Sequence, residues 1–177
     1  MRNEYKIVSD TAVIYLNHRG KQLETIIDLS DFEKANSVTT SWGARYDPDI
    51  NNYYVQTTLK ENGKNVLIQL HRFLCDAPKG MVVDHINRDS LDNRRSRNLR
   101  VVTDAQNKQN TRRRKNGSSK YRGVSKNKET GKWIARIKVN GKMIYLGTYG
   151  TEIEAAKVAR EARLKYFTHS VEDEIII

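Results

Sequence analysis

Between Ala105 and Lys128 the chain carries nine lysines and arginines and no acid, and such a block does not belong to the core of one continuous domain. Like charges so closely spaced repel one another and stay in water, where they attract phosphates and release counterions on binding. In a chain of 177 residues this leaves room for small modules on either side, each with a modest core, and not for a large enzyme. Within the block, Arg112-Arg113-Arg114-Lys115 runs into Asn116-Gly117-Ser118-Ser119, whose glycine and serines read as a flexible linker over 112–119. The charge is also lopsided. Residues 1–70 hold eight basic and nine acidic side chains, a net of −1, whereas 71–177 carry a net of +12. The bland reading is a solvated linker that aids solubility; the block's place between the two candidate modules, with no acid to offset it, favours phosphate binding, with Arg112, Arg113, Arg114 and Lys115 as candidate contacts.

Composition excludes several classes. No apolar run approaches the ~20 residues needed to span a bilayer, and Met1-Arg2-Asn3-Glu4-Tyr5 lacks the apolar stretch of a signal peptide. Cys75 is the one cysteine, so no internal disulfide forms, no disulfide partner is expected, and a reducing cytoplasm fits. His18, His71, His85 and His169 have no zinc-ligand spacing, which excludes a zinc finger or ribbon.

Residues 1–70 read as a strand-rich segment. Thr11–Leu16 and Glu24–Leu29 are β-rich, and Asn52–Thr58 and Asn65–Leu70 flank the turn Glu61-Asn62-Gly63-Lys64, a hairpin signal. Ser30-Asp31-Phe32-Glu33 has the spacing of a capping box, which predicts a short helix. No chemistry is evident in this segment. Trp42 and Tyr46 are aromatics that could touch DNA, although aromatics in strands are more often core.

Residues 71–111 read as a short helix from His71, a strand Met81–His85, a polar loop, a strand Leu99–Thr103 and a polar helix containing Asn107. Phosphodiester hydrolysis needs an activated water and stabilisation of charge on the phosphate and leaving oxygen. An imidazole with an ordinary pKa near 6.5 is largely neutral at pH 7, so His85 can accept a proton from water. Asp84 offers a carboxylate and Asn107 an amide oxygen, the donors a hard cation such as Mg²⁺ prefers, and two protein ligands leave positions open for phosphate and water. Adjacent strand residues point to opposite sides, so Asp84 and His85 converge only if the strand twists or ends there, which the polar Asn87–Arg97 loop permits. Taken singly, an Asp-His pair and a helical Asn are ordinary surface residues; their order and spacing are what carry weight.

The stretch Val83-Asp84-His85 … Asn98-Leu99-Arg100 … Asn107 resembles the HNH nucleases, the ββα-metal fold, and especially those of phages and homing endonucleases. The resemblance covers about forty residues. It implies His85 as general base, Asp84 and Asn107 as ligands of one Mg²⁺ (or Mn²⁺) per active site, and Asn98 as the brace of the loop. His71, in Leu70-His71-Arg72-Phe73, recurs near the start of such domains and is read as structural.

Residues 120–168 read as a second unit, followed by an acidic, then apolar tail over 169–177. Tyr121–Val124 is a short strand, and Lys132–Val139 and Lys142–Leu146 surround Asn140-Gly141, a strong two-residue hairpin signal. Thr151-Glu152-Ile153-Glu154 is a capping box opening a helix to about Phe167, with Ala155, Ala159, Ala162 and Tyr166 on one face. Pairing Val139 with Lys142 sets Ile137 opposite Ile144 and Ala135 opposite Leu146, with Trp133 on the same apolar side. The other face then carries Arg136, Lys138, Met143 and Tyr145, basic with one aromatic, as a groove-reading sheet requires. Tyr121-Arg122-Gly123-Val124, Gly131–Lys138 and Tyr145–Tyr149 resemble the APETALA-two (ethylene-response-factor) DNA-binding domain, over about fifty residues. That resemblance adds Arg122 to the DNA-contacting set. Ser125 and Arg136 depart from the plant pattern, so a plant-type target sequence does not transfer.

The expected architecture is α+β: a ββα-metal nuclease module, then a three-stranded antiparallel sheet with one packed helix. The expected function is a metal-dependent endonuclease on double-stranded DNA, a phage homing-type enzyme acting in the cytoplasm of the infected bacterium. The rivals are a non-catalytic DNA-binding regulator with a decayed nuclease domain, and a nuclease acting on RNA.

Overall fold

The structure, a computed structural model, describes residues 1–48, 51–111 and 117–171. The chain divides into two compact units, Met1–Thr103 and Asp104–Ile177. The N-terminal strands therefore share a unit with Asp84 and His85, and no boundary of compactness falls at residue 70. The fold is mixed α and β, built from small antiparallel sheets with a few helices.

In the first unit, β1 (Tyr5–Val8), β2 (Thr11–His18) and β3 (Lys21–Asp28) form one sheet, and β4 (Gly43–Asp47), β5 (Asn52–Glu61) and β6 (Lys64–Gln69) another. Two-residue turns close both long hairpins. Asn62-Gly63 was anticipated; Arg19-Gly20 was not, because arginine is uncommon where φ is +51°. Ala12, Ile14, Leu16 and Ile27 meet Phe32, Ala35, Trp42, Val55, Leu70 and Leu74 in one apolar cluster. Trp42 is core, its Nε1 donating to the Ala35 carbonyl at 3.0 Å. The helix α1 (Phe32–Asn36) forms without the expected capping box: Ser30 lies within the turn Leu29–Asp31, and Asp31, at the N-cap, makes no cap bond because its carboxylate accepts from Arg95 at 2.6 and 3.1 Å. After α2 (Leu70–Leu74), β7 (Val82–His85) and β8 (Leu99–Val102) pair antiparallel with Asp84 opposite Arg100.

The second unit begins with the single turn α3 (Asp104–Asn107). The order strand, loop, strand, helix is thus present, with the helix outside the compact unit that holds the strands. Further on, β9 (Val124–Lys126), β10 (Trp133–Val139) and β11 (Lys142–Tyr149) form a three-stranded sheet with β10 central. Against it lies α4 (Glu152–Tyr166), opened by Thr151 and Glu154 with both bonds of the capping box made. Ala155, Ala156 and Ala159 sit on Val124 and Ala135, so the helix approaches the sheet closely. Tyr166 is 42% exposed and not on that face; Ala156 takes its place. The register holds from Val139 to Arg136 and then shifts. A bulge sets Ala135 opposite Gly147, not Leu146, and Leu146 still reaches the apolar side. The first strand also starts three residues late, because Gly123 has φ +81° and its carbonyl accepts from Arg136 N at 2.8 Å. An added Cβ there would lie 2.7 Å from the Arg136 carbonyl oxygen, so only glycine fits. Among the described residues, no helix is long and apolar enough to cross a membrane.

Candidate active site and nucleic-acid interface

The strand β7 ends at His85, where Arg88 N donates to the His85 carbonyl and the chain turns into the loop. Asp84 and His85 are both buried, at 7% exposure each. The His85 ring is held by Asn93, which is fully buried. The Asn93 amide nitrogen donates to Thr25 Oγ1 at 2.9 Å and to the Ser90 carbonyl at 3.1 Å, so its Oδ1 is the acceptor facing His85 Nε2 at 3.2 Å. The proton is therefore on Nε2 and Nδ1 is the basic nitrogen. Burial pushes the imidazole below its ordinary value, against the Asn93 bond and the Asp84 charge, which favour the cation. His85 is accordingly neutral at pH 7, the state a general base needs.

Asp84 is fixed from across the hairpin: Arg100 Nε and Nη2 donate to its Oδ2 at 2.9 and 2.6 Å. Both bonds fall on one oxygen. A carboxylate beside a neutral imidazole is donor chemistry that fits a hard, largely hydrated divalent cation, which needs one or two carboxylates and keeps waters. Among the described residues no three His, Cys, Asp or Glu side chains converge as a closed protein cage would require. Asn107 is the last residue of α3, in the second unit.

Asn98 spends its whole amide on the loop: Oδ1 accepts from Asn87 N at 2.8 Å, and Nδ2 donates to the carbonyls of Asp92 at 2.6 Å and Asp89 at 3.3 Å. Arg94 grips Asp92 through Nε and Nη2 at 2.7 and 2.6 Å. Burial works to raise the Asp92 carboxyl, but the Arg94 bonds outweigh it and hold the group below the ordinary range. The loop is then moored to the N-terminal sheet. Asp28 accepts from Ser96 N and Oγ at 2.8 and 2.7 Å, Thr25 Oγ1 donates to the Leu91 carbonyl at 2.7 Å, and Asn93 N donates to the Ile26 carbonyl at 2.7 Å. His71 is buried with its ring 5.1 Å from that of His85, edge-on, and 5.7 Å from Tyr54. Burial first, then the neighbouring His85 and Arg72, drive its pKa to about 3. A neutral His71 spares His85 a cation at ring-contact distance.

In the second unit Arg136, Lys138, Met143 and Tyr145 lie on the exposed face of the sheet, Arg136 opposite Tyr145 and Lys138 opposite Met143. The Tyr145 hydroxyl shares a 2.6 Å hydrogen bond with Thr148 Oγ1. Arg122 precedes β9; its guanidinium donates to the carbonyls of Gln109 at 2.7 Å and Lys108 at 3.2 Å and lies over the Phe167 ring. Arg112, Arg113, Arg114 and Lys115 fall outside the described residues.

Comparison with known proteins matches two separate segments, the first of which crosses the boundary between the compact units. Residues 73–109 match the HNH endonuclease family model, and residues 119–169 match the AP2 domain model. The second segment is 52% identical over 52 residues to the AP2-like ethylene-responsive transcription factor At1g16060 of Arabidopsis thaliana, covering 28% of this chain and 15% of that protein. It is 50% identical over 52 residues to the ethylene-responsive transcription factor WRI1 of Arabidopsis thaliana, 28% of this chain and 12% of that protein. The AP2-like ethylene-responsive transcription factor CRL5 of Oryza sativa subsp. japonica is 46% identical over the same length, 28% and 8%. The chain thus spans less than a sixth of the curated relatives it matches. No solved structure matches. The likeness supports a DNA-binding domain over 119–169 and gives some support to a nuclease over 73–109.

Sequence reasoning missed Asn93, the partner of the His85 ring, and the mooring residues Thr25, Asp28 and Asp31. Asn93 carried a signal in Leu91-Asp92-Asn93-Arg94, an amide inside a charged loop, but its partner Thr25 lies 68 positions away.

Proposed function

We propose that the chain is a metal-dependent DNA endonuclease of the phage homing type, acting on double-stranded DNA in the cytoplasm of an infected bacterium. The observation that carries the reading is the His85–Asn93 arrangement, a buried neutral imidazole with its tautomer fixed, inside the segment that matches the HNH endonuclease model. Asn93 holds the Nε2 proton, and Nδ1 takes a proton from the attacking water. Asp84, oriented by Arg100, supplies a carboxylate for a divalent cation, and the family resemblance assigns the second oxygen donor to Asn107. Such a cation, when bound, stabilises charge on the phosphate and on the leaving 3′-oxygen. Asn98 keeps the loop in the shape that places Asn93. The exposed sheet face with Arg136, Lys138 and Tyr145, together with Arg122 and the Arg112–Lys115 run, holds duplex DNA.

The test is supercoiled plasmid incubated with the chain in Mg²⁺ and in excess EDTA. Nicking or linearisation in Mg²⁺, abolished by EDTA and lowered by about 10²–10⁴ in His85→Ala, is the expected result; cutting in EDTA, or at the wild-type rate in the variant, overturns it. The likeness of 119–169 to transcription factors favours a second reading, a DNA-binding regulator without catalysis. Duplex binding with no cutting under any divalent cation would establish that one.

A further inference from the structure

A second feature of the first unit is a half-open cleft of about 540 Å³ lined by His18, Arg19, Arg45, Tyr46, Pro48 and Tyr53. No acidic side chain lines it among the described residues. Tyr46 and Tyr53 are cross-strand partners on β4 and β5 with ring centroids 5.2 Å apart, and Tyr53 meets His18 edge-on, also at 5.2 Å. These rings are braced: the Tyr46 hydroxyl donates to Asn51 Oδ1 at 2.6 Å, and His18 Nδ1 donates to the Ala44 carbonyl at 2.7 Å. Tyr46 is nevertheless 40% exposed. Arg19 and Arg45 are exposed, and neither guanidinium has a hydrogen-bond or ion-pair partner among the described residues.

Arg19 also breaks a local rule. Among the described residues three hairpins turn through two residues with positive φ: Arg19-Gly20, Asn62-Gly63 and Asn140-Gly141. Two use asparagine at the first position, the residue that tolerates the left-handed region; only the turn at the cleft uses arginine, at φ +51°. A residue kept where the backbone disfavours it points to a use for its side chain. The cleft is tied to the loop that follows His85: Asn52 Nδ2 donates to the Arg88 carbonyl at 3.2 Å, and Ser90 Oγ donates to the Tyr53 carbonyl.

We propose that this cleft binds one unpaired nucleotide of a DNA strand, its base stacked on Tyr46 beside Tyr53 and its phosphates on Arg19 and Arg45. Aromatic faces with flanking cations are the chemistry that grips single strands without regard to sequence. A concave cavity of this volume admits a base and its sugar, whereas a duplex groove is entered by something that protrudes. The DNA assignment rests on the nuclease reading, and the cleft would hold a strand by the same loop that orients His85.

The experiment is fluorescence anisotropy of the full chain, without divalent cations, on labelled oligothymidylate, oligouridylate and a blunt duplex of equal length. The variants are Arg19→Gly, which relieves the turn, and Tyr46→Ala. Each should weaken oligothymidylate binding at least ~5-fold, the lower end for losing one base–aromatic stack or cation, and leave duplex affinity unchanged. The melting temperature of Arg19→Gly should be equal to or above the wild type, which excludes unfolding as the cause. Unchanged oligothymidylate affinity in both variants, or an equal loss on the duplex, overturns the proposal; oligouridylate bound more tightly with the same variant losses overturns the DNA assignment. A chain that binds oligothymidylate through the cleft but does not cut plasmid sinks the nuclease reading alone. A chain that cuts while the variants bind single strands normally sinks the cleft alone.

Discussion

Acidification from pH 7 to pH 5 should cost the first unit about 2 kcal/mol through one side chain, His71. In the folded chain its pKa is about 3, because burial disfavours the cation and His85 and Arg72 stand near it. In the unfolded chain it returns to about 6.5. Below pH 6.5 the unfolded state thus takes up a proton that the native state refuses until about pH 3, so stability falls as pH falls through that window. Integrating the two titrations gives a loss of about 1.9 kcal/mol between pH 7 and pH 5, the small fraction already protonated at pH 7 included. His71→Phe keeps an aromatic ring between Tyr54 and His85 and removes the titration. Urea unfolding at both pH values, followed by tryptophan fluorescence in a Trp133→Phe background so that buried Trp42 reports the first unit, measures the difference. His85 titrates in both chains and its contribution cancels to first order. The parent should lose about 2 kcal/mol more than His71→Phe; equal losses would show that His71 is protonated, or solvated, in the native state.

Three further outcomes follow from particular contacts. Gly141→Ala meets nothing within 4 Å and pays only for its φ of +80°, about 1 kcal/mol, whereas Gly123→Ala adds a 2.7 Å approach to the Arg136 carbonyl and should cost about 2–4 kcal/mol; thermal melts of the two variants separate strain from clash. Asn93→Ala removes the acceptor of the His85 Nε2 proton and should slow plasmid cutting by about 10–100-fold, the usual effect of losing an orienting partner, while duplex affinity, which the proposed function assigns to the other unit, should hold; an unaltered rate would mean that the ring needs no brace. Arg136→Ala should weaken binding to the natural site more than to scrambled DNA, since arginine reads guanine bidentately for about 1–3 kcal/mol, while Lys138→Ala weakens both alike; competition on duplexes of equal length decides it, and an equal loss on both would make Arg136 a backbone clamp.

The parts legible in the sequence were those encoded by neighbours. Asn62-Gly63 and Asn140-Gly141 announce hairpins because two positive φ values need those residues, and Thr151–Glu154 announces α4 because both bonds of its box are local. The alternation of β10 placed Arg136 and Lys138 outward and Ala135 and Ile137 inward. Where a distant partner competes, local reading fails. Ser30–Glu33 has the spacing of a cap, yet Ser30 lies inside the turn Leu29–Asp31, and Asp31, which stands at the N-cap of α1 instead, gives its carboxylate to Arg95, 64 positions away, so no cap bond forms. The bulge at Ala135/Arg136 has no signature beyond Gly147, whose φ of +137° only the folded sheet reveals. The strands β1 and β4 carry little strand signal: Tyr5–Val8 buries none of its residues and so shows no inward–outward alternation, and Gly43-Ala44-Arg45-Tyr46-Asp47 has no β-branched residue.

The same contrast explains why the N-terminal seventy residues look devoid of chemistry when read alone. The loop from Asn87 to Arg97 is almost wholly polar, and a polar loop cannot hold its shape by burying apolar surface. Its shape must come from hydrogen bonds, and the partners lie on β3 and just after it: Thr25, Ile26, Asp28 and Asp31. Each is an ordinary strand or turn residue by sequence. Together they moor Leu91, Asn93, Arg95 and Ser96, and through Asn93 they fix the tautomer of His85. The surroundings of His85 are therefore set from a sheet some sixty residues upstream, and a break in the Thr25–Asn93 pair acts on the imidazole without touching it.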